Sequence, residues 1–389
     1  MQGNDKQALG TTSKKIPFSR PCFSESDLEQ IASRIKEVLK SGWLTSGPLV
    51  NKFEEQFAEF VGAEYAIAVN SCTAALHSIL LALGIGKGDE VIVPSNTFVA
   101  TANAALYVGA RPVFADSDPE TFNISPEDIE RKISQKTKAI IVVHLGGNPC
   151  DMDKIRKIAE ENDLYLIEDC AHAHGAKYRG QSTGTFGIAG AFSFYPTKVM
   201  TTGEGGIVVT NDQKLAERIK AIRNHGRAAF GPAEIIELGF NYRMTELNAI
   251  IGLSQLAHIN DFLETRRKIA NRYNKALSDI DWLVPQKVRE ESTSSYYAYI
   301  VKLEKDAPIA RDELMLKLRE KGIETSILYH PVHLQPYYRK LFGYSKGYLP
   351  IAEMLGERTL ALPIYSCMPV EEADYVIEAL KQIYEGTQA

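Results

Sequence analysis

A single lysine, Lys198, stands within the stretch SFYPTKVMTTGEGG at residues 193–206, between an aromatic run and a glycine-rich turn. A lone lysine is ordinarily a solvated surface charge. Here the surrounding apolar and small residues would favour the neutral amine over the ammonium ion. Neutral lysine amines form Schiff bases with carbonyl groups. Lys198 is therefore the first candidate for covalent chemistry.

An acid and two kinds of ring could assist such an amine. Glu168 and Asp169 close the apolar run LYLIED, and His172 and His174 follow. A strand-end acid is usually a cap, but a buried Asp169 beside a heteroaromatic nitrogen would keep that nitrogen protonated. Without a third convincing ligand the two histidines make a weak metal site, so we predict no metal and interpret His172 as a stacking or orienting ring. Phe98, just beyond EVIVPS, could stack on a planar ring, although such an aromatic residue is more often core.

A candidate anion site lies in NSCTAAL, where a helix is predicted to begin at Thr73. The free N–H groups of Ser71, Cys72 and Thr73 could hold a phosphate at that helix N-terminus, although alone the motif is an ordinary helix cap. These N–H groups, the Phe98 ring, the Asp169 carboxylate and the Lys198 amine occur in this order along the chain, each just after a predicted strand. Together they outline a pyridoxal phosphate site.

Short β-branched runs separated by amphipathic segments must position these residues. Apolar strands alternating with helices indicate a mostly parallel sheet covered on both faces, an α/β architecture. In such sheets the ligand crevice lies at the carboxyl ends of the strands. The predicted strands are YAIAV from residue 65, EVIVPS from 90, RPVFAD from 111, AIIVVH from 139, LYLIED from 164, AFSFY from 191 and GIVVT from 206.

The pattern changes near Met244 to one long helical stretch through Leu277, followed by YYAYIVKLE and two further helical segments. This change predicts a smaller C-terminal α+β domain. We divide the chain into a polar tail at residues 1–15, a large cofactor-binding domain at 16–255 and a small domain at 256–389.

Composition limits the possible partners. The 389 residues carry 44 Lys+Arg against 49 Asp+Glu, a net charge of -5, with no long run of one sign, so neither nucleic acid nor an anionic membrane is expected to bind. The five cysteines are scattered, which argues against a zinc ribbon or disulfide framework and favours a reducing cytoplasm. No signal peptide or membrane span is predicted.

The sequence also resembles the DegT-type sugar aminotransferases, from about Ile16 to the C-terminus. This family has the aspartate aminotransferase-like fold (fold type I), binds pyridoxal phosphate and aminates keto sugars carried on nucleotides. The motifs that carry the resemblance are SGWLTSGPLVNKFEEQFAEFVG, GDEVIVPSNTFVAT, EDCAHAHGA, SFYPTKVMTTGEGG, GFNYRMTELNAIIGLSQL and YHPVHLQPYY.

The resemblance implies a role for each matching residue. Lys198 corresponds to the lysine that bonds to the cofactor, Asp169 to the partner of its pyridine nitrogen, and His172 and Phe98 to the groups on the two ring faces. The phosphate ligands would be Ser71, Cys72, Thr73 and Ser193, with Asn241 reaching in from the second subunit of a homodimer.

Two departures from the family pattern are expected to matter. Cys72 stands where a glycine is usual, and Gly146 and Gly147 replace an aromatic-glycine pair, which we interpret as altered substrate space. His330, His333 and Arg243 are candidate substrate contacts; for the two histidines a structural turn is an equal alternative.

Glutamate is the expected amino donor, and TTGEGG slightly favours a keto group at C4 of the sugar. A C3 keto sugar, a cyclitol, a pyridoxal phosphate-binding regulator without turnover and a plain α/β interaction protein stay open as alternatives. A lyase of the same family would require a histidine at position 198.

Overall fold

The computed structural model describes residues 15–228 and 234–388. The polar tail predicted for residues 1–15 lies outside the described residues except for Lys15. Ile16 follows it immediately, bridges to Ile323 and is fully buried. The N-terminal end of the described chain therefore packs on its C-terminal part, and the proposed domain boundary at residue 255 falls within a helix and stays a prediction.

A seven-stranded sheet forms the centre of the molecule. From one edge to the other its strands are β1 (Tyr65–Val69), β9 (Gly206–Thr210), β8 (Ala189–Ser193), β5 (Tyr165–Asp169), β4 (Thr137–Val143), β2 (Glu90–Pro94) and β3 (Arg111–Ala115). β9 is antiparallel to both of its neighbours, and the other pairs are parallel, which confirms the predicted mostly parallel α/β sheet.

Both faces of this sheet are covered by apolar layers. Along β4, Ile141 packs into one cluster, whereas its neighbours Ile140 and Val142 pack into another. Alternate residues of a strand point to opposite faces, so an apolar run throughout is what a doubly covered strand requires. The helices of this part are α1 (Glu25–Ser41), α2 (Pro48–Val61), α3 (Cys72–Ala82), α4 (Ala100–Tyr107), α5 (Pro126–Lys132), α6 (Met152–Glu161) and α7 (Gln213–Arg223).

The predicted long helix through Leu277 is wrong in one respect, because it is divided at His258. Thr245 caps α8 (Glu246–Ala257), its hydroxyl accepting from the Asn248 N–H, and α9 (Ile259–Leu277) follows after the single residue His258. β10 (Leu283–Pro285), β12 (Tyr299–Leu303) and β13 (Thr359–Leu362) then form a three-stranded antiparallel sheet.

The C-terminal sheet shares an apolar cluster with residues of α9, of α10 (Arg311–Glu320) and of α13 (Val370–Gln388). This arrangement agrees with the predicted smaller α+β region. The remaining elements are α11 (Pro336–Phe342), α12 (Pro350–Arg358), and the short strands β6 (Lys177–Tyr178), β7 (Gln181–Ser182) and β11 (Ser292–Thr293), which pair with one another. No helix within residues 15–228 and 234–388 has the length and apolar composition needed to span a bilayer.

Candidate active site

The carboxyl ends of β1, β2, β5 and β8 meet at one cavity of about 530 Å³, a size ordinary for a small-molecule site. It lies where an open α/β sheet is expected to bind its ligand. Eight of the nine predicted cofactor residues line it: Ser71, Cys72, Thr73, Phe98, Asp169, His172, Ser193 and Lys198.

The start of α3 forms one end of this cavity. Ser71 is the N-cap, and its hydroxyl accepts from the Ala74 N–H at 3.1 Å. The helix begins at Cys72, one residue before the predicted start. A side-chain atom added to Gly206 would lie 2.4 Å from the Ser71 carbonyl carbon, so β9 can approach the helix start only with glycine there. The close packing fixes a set of N–H groups that suits an anion.

Asp169 presents a buried carboxylate to the cavity. The Thr101 hydroxyl donates to one of its oxygens at 2.8 Å, and the Ala171 N–H donates to the other at 3.1 Å. Burial raises the pKa of Asp169, although these two donors and nearby Lys198 oppose that shift. The carboxylate is thus held rigidly in a place where a cationic partner would relieve the cost of its burial.

Glu168, one residue earlier, has an entirely different environment. Its carboxylate accepts from the N–H groups of Gly184, Phe186 and Gly187 and from Nε2 of His144. Since successive strand residues point to opposite faces, only Asp169 reaches the cavity. The grouping of Glu168 with His144 and Cys170 has ligand atoms of metal-binding type, but these hydrogen bonds already explain the buried charge.

Lys198 lies on the turn between β8 and β9, which is closed by hydrogen bonds from Phe194 N–H to Gly205 and from Thr202 N–H to Phe194. Its Nζ lies 4.5 Å from the centre of the Tyr297 ring, and the Tyr297 hydroxyl is 3.2 Å from the Thr197 hydroxyl. The Tyr297 ring therefore lies beside the half-buried Lys198 amine in the cavity.

His172 stacks on Tyr297, with ring centres 4.1 Å apart and planes inclined by 17°. Burial, with Lys198 nearby, lowers the pKa of His172 well below its usual value, so the ring is neutral. Its Nδ1 accepts from the Gly146 N–H at 3.4 Å, which places the proton on Nε2, and Nε2 donates to the Tyr329 oxygen at 3.0 Å. The Tyr329 hydroxyl hydrogen is left to donate to a bound molecule.

Gly146 and Gly147 do not belong to the lining of the cavity, contrary to the interpretation of this pair as altered substrate space. A side-chain atom on Gly147 would lie 2.1 Å from the Ser295 hydroxyl and 2.8 Å from the His172 carbonyl oxygen. The two glycines instead allow the backbone to pack closely beside His172.

Sequence reasoning missed three residues that shape this site: Thr101, Tyr297 and Tyr329. Thr101 and Tyr329 both lie within motifs already singled out, GDEVIVPSNTFVAT and YHPVHLQPYY. Thr101 follows Phe98 by three residues near the start of α4, and this spacing could have suggested that it faces the same crevice. Tyr297 lies two residues before β12 with other tyrosines beside it, and its sequence position does not indicate that it belongs to the site.

A second cavity, of about 750 Å³, adjoins the first through four shared lining residues, Thr97, Phe98, Ile327 and Tyr329. His330 is exposed and lines this second cavity. His333 lines neither cavity: it is fully buried, with Nδ1 2.7 Å from the Ser95 hydroxyl and Nε2 3.1 Å from Glu353. The structure therefore favours the structural alternative for His333.

Asn241 and Arg243 lie outside both cavities of their own chain. Asn241 is exposed, and its carbonyl oxygen accepts from the Asn70 side chain at 3.3 Å. Arg243 donates to the Asn224 side chain at 2.9 Å. Within this chain neither residue reaches the candidate site.

The residues of the first cavity fit a planar heteroaromatic ring that carries an aldehyde and a phosphate. Lys198 offers an amine for the aldehyde, the start of α3 offers N–H groups for the phosphate, and Asp169 offers a carboxylate for a protonated ring nitrogen. Phe98 borders the cavity yet is 56% exposed, which leaves ring surface for stacking.

Comparison with known proteins agrees with this arrangement. The profile of the DegT/DnrJ/EryC1/StrS aminotransferase family matches residues 25–381. GDP-perosamine synthase of Escherichia coli O157:H7 is 42% identical over 373 residues, covering 95% of this chain and 99% of its own.

Two solved structures share the whole fold. DesV of S. venezuelae superimposes with a TM-score of 0.89 and 35% identity, covering 95% of this chain and 99% of its own. Spr1654 of Streptococcus pneumoniae, in its PLP form, gives a TM-score of 0.89 and 30% identity, covering 96% and 100%.

Proposed function

The chain belongs to the DegT/DnrJ/EryC1/StrS aminotransferase family, and on that basis we propose that it is a pyridoxal phosphate-dependent sugar aminotransferase. It transfers an amino group, from glutamate as donor, to a keto sugar carried on a nucleotide. The observation that carries the proposal is the meeting of the Lys198 amine, the buried Asp169 carboxylate and the start of α3 in one cavity.

The cofactor, when bound, supplies an electron sink for the carbon that gains or loses the amino group. Lys198 would hold the cofactor through its amine and, when free of it, would take a proton from the donor's α-carbon and later give one up. Asp169 would keep a proton on the ring nitrogen, because a nearby opposite charge favours the charged form. The N–H groups at the start of α3 and the Ser193 hydroxyl would hold the phosphate.

The aromatic residues orient these groups. Tyr297 would contact the Lys198 amine when that amine is not bonded to the cofactor, since the centre of its ring lies 4.5 Å from Nζ. Neutral His172 fixes the Tyr329 hydroxyl as a donor, which suits an oxygen of the acceptor sugar. The adjoining second cavity gives the rest of a nucleotide-linked substrate a place to extend.

A keto group at C4 is favoured by the TTGEGG form of the lysine turn, and a nucleotide carrier is supported by the name of the GDP-perosamine synthase relative. The decisive experiment incubates the purified, cofactor-loaded chain with glutamate and a panel of nucleotide-linked 4-keto and 3-keto sugars, followed by mass spectrometry. Conversion of a 4-keto sugar to its amine supports the proposal. A 3-keto sugar or a cyclitol as sole substrate would correct the position or the class, and bound cofactor without any conversion would favour the regulator.

A homodimer with shared sites is part of the same proposal. Asn241 is exposed and lines neither of the two cavities described above, and the nearby side chains of Ile235, Ile236 and Leu238 are 60–78% exposed. Apolar side chains exposed together are typical of a protein interface. An isologous dimer would cover them and bring Asn241 to the partner's phosphate site.

Mixing two inactive variants tests the shared site. Lys198→Ala chains and Asn241→Ala chains, unfolded and refolded together, should regain activity, because each heterodimer has one site with both defects and one with neither. Restored activity supports the shared site. Absence of recovery, with heterodimers demonstrated by mass spectrometry, would assign Asn241 to its own subunit.

A further inference from the structure

Two hydroxyl groups connect the buried Asp169 carboxylate to the border between the two cavities. The Thr101 hydroxyl donates to Oδ2 of Asp169 at 2.8 Å, and the Thr97 hydroxyl oxygen lies 3.0 Å from the Thr101 hydroxyl oxygen. Both threonines are buried, and Thr97 lines the first and the second cavity. Two consecutive hydrogen bonds therefore join the carboxylate to a residue at the junction of the cavities.

The direction of both hydrogen bonds follows from the chemistry of the groups. An ionised carboxylate only accepts, so the single hydroxyl hydrogen of Thr101 is used on Asp169. The Thr101 oxygen consequently accepts from the Thr97 hydroxyl. Consecutive hydrogen bonds polarise one another in a low-dielectric interior, so a hydroxyl that accepts is also a stronger donor. Thr97 therefore strengthens the hydrogen bond from Thr101 to Asp169.

The local fold places the two threonines beside each other. Thr97 follows the end of β2, and Thr101 is the second residue of α4. The Thr101 N–H donates to the Phe98 carbonyl at 3.2 Å, which closes the turn between them. The stretch PSNTFVAT thus supplies the Phe98 ring to the cavity and, on either side of it in sequence, one hydroxyl group of the chain that leads to Asp169.

Other groups also face the Asp169 carboxylate. Its Oδ1 accepts from the Ala171 N–H at 3.1 Å and lies 4.0 Å from the Cys72 sulfur. Within residues 15–228 and 234–388, its Oδ2 accepts from Thr101 alone. The charged or titratable side chains that interact with this carboxylate are Lys198, Cys72, Cys170, His144 and Tyr329.

The Thr101 hydrogen bond opposes the effect of burial on Asp169. Burial raises the pKa of Asp169, whereas donors to its ionised form lower that pKa, the Thr101 hydroxyl among them. A buried carboxylate that loses such a donor takes up a proton more readily. A protonated carboxyl group no longer offers a negative charge to a ring nitrogen, so the two threonines favour the form of Asp169 on which the proposed chemistry depends.

We propose that Thr97 and Thr101 are positioning residues that act through Asp169 and keep its carboxylate ionised and oriented toward the ring nitrogen of the cofactor. The expected effect on turnover rests on the proposed function, whereas the effect on Asp169 is a property of the chain alone. Thr101 acts directly and Thr97 acts through Thr101, so the loss of Thr101 should have the larger effect.

Titration of Asp169 in the full, cofactor-free chain tests the hydrogen-bonded connection. Nuclear magnetic resonance of chain labelled at the aspartate carboxyl carbons follows the titration, and Asp169→Asn identifies the signal. Thr101→Val keeps the shape of the side chain but removes the hydroxyl group, so the Asp169 titration should move to higher pH. Thr97→Val should move it in the same direction by a smaller amount, and Thr101→Ser should restore the wild-type titration.

Thr210→Val is the matched control. Thr210 is buried and lines neither cavity. Its hydroxyl donates to the Ile188 carbonyl at 2.7 Å and accepts from the Asp212 N–H at 3.1 Å. This variant also removes a threonine hydroxyl with two hydrogen bonds, yet the Asp169 titration should stay at its wild-type position. Melting temperatures of all variants show that each chain is folded over the pH range used.

Kinetics of the cofactor-loaded chain test the consequence for amino transfer. Thr101→Val should lower kcat about threefold to tenfold, the value of one hydrogen bond, with glutamate and with the sugar alike. KM for glutamate should stay unchanged, because Thr101 lines neither cavity. The visible absorbance of bound cofactor, followed against pH, should change in Thr101→Val and return to that of wild type in Thr101→Ser.

Several results would overturn the proposal. A wild-type Asp169 titration in folded Thr101→Val would exclude the direct contribution, and the same result in Thr97→Val would exclude Thr97. An equal shift in Thr210→Val would show a general effect of lost hydrogen bonds, and an unchanged kcat in Thr101→Val would exclude the role in turnover. Because the titration requires neither cofactor nor substrate, a chain that shows the expected shifts but transfers no amino group would refute the aminotransferase proposal alone.

Discussion

The cavity has two walls of different chemistry. The sheet wall consists of residues at strand ends and the start of α3: Ser71, Thr73, Asp169 and Ser193. The tyrosine wall consists of Tyr297, Tyr329 and the His172 ring between them. The sheet wall offers a carboxylate, hydroxyls and N–H groups held by backbone hydrogen bonds. The tyrosine wall offers ring faces and one oriented hydroxyl, with Tyr297 and Tyr329 entering from the C-terminal half of the chain.

The two walls also differ in how they are held. Asp169 ends a central strand, so its position follows from the sheet itself. Tyr329 is placed by one hydrogen bond to His172 and by contact with Phe98, whose ring centre lies 5.8 Å away. We infer that the sheet wall supplies the charges required for any amino transfer, and that the tyrosine wall positions the lysine and the acceptor.

The largest effect should come from Lys198→Ala, which removes the group lying between the two walls. Turnover should be abolished, because covalent attachment and both proton transfers use the same amine; proton transfer alone contributes about 10²–10⁴-fold. Borohydride reduction of the cofactor-loaded wild type, followed by peptide mapping, should place the pyridoxyl label on Lys198. A label on another lysine would overturn the assignment.

Asp169→Asn tests the charge of the sheet wall. The cofactor should still bind, but activity should fall on the order of 10²–10³-fold, the scale expected for loss of one preorganised charge. The measurement is kcat beside the visible absorbance of bound cofactor. Near wild-type turnover would contradict the proposed electron-sink role.

The same variant makes a prediction for stability as a function of pH. Because burial raises the pKa of Asp169, the folded chain binds a proton at this carboxylate more tightly than the unfolded chain does. The contribution of Asp169 to the free energy of unfolding therefore becomes more favourable to the folded chain as pH falls. Without cofactor, Asp169→Asn should melt higher than wild type at neutral pH, and the difference should shrink in acid. An unchanged difference would refute the buried-charge argument.

The fold and the sheet wall could largely be predicted from sequence, because both depend on local patterns. All seven strands of the central sheet were expected from their apolar runs, and strand ends converge by topology. Even the choice between Glu168 and Asp169 follows from alternation along β5, since Glu168 points to the opposite face and is bound by three N–H groups.

The tyrosine wall could not be predicted in this way. Tyr297 and His172 are in contact although they are 125 positions apart in the sequence, and no spacing rule brings them together. The break at His258 was equally hidden, because the apolar pattern continues through it. For His333 the sequence leaves a substrate contact and a structural turn equally open, because a buried histidine and a ligand-binding histidine look alike in sequence.

Tyr329→Phe tests the tyrosine wall and should have an intermediate effect. It keeps the ring beside Phe98 but removes the oxygen that accepts from His172, so kcat/KM for the sugar should fall about threefold to tenfold, the value of one hydrogen bond. The reaction with glutamate alone, followed by absorbance, should change less.

Tyr273→Phe is the matched control for that variant. Tyr273 is buried and lines neither cavity, and its hydroxyl donates to the Pro363 carbonyl at 2.9 Å. Equal losses in both tyrosine variants would mean that the Tyr329 hydroxyl has no special role at the site.

The smallest effect on chemistry should come from His333, although the same change should be costly to the fold. His333→Ala would remove the imidazole that bonds to the Ser95 hydroxyl and to the Glu353 carboxylate, and the loss of buried hydrogen bonds of this kind costs about 1–3 kcal/mol of folding free energy. Denaturant unfolding measures that loss. Because His333 lines neither cavity, kcat/KM of the folded fraction should stay within about twofold of wild type, a change worth less than about 0.5 kcal/mol. His330→Ala should give the opposite result, with stability unchanged and a modest rise in KM, since His330 is exposed and lines the second cavity. A strong catalytic defect in His333→Ala with unaltered stability would show that the buried histidine acts on the substrate. The description of the site as a sheet wall and a tyrosine wall would then be incomplete, because His333 belongs to neither.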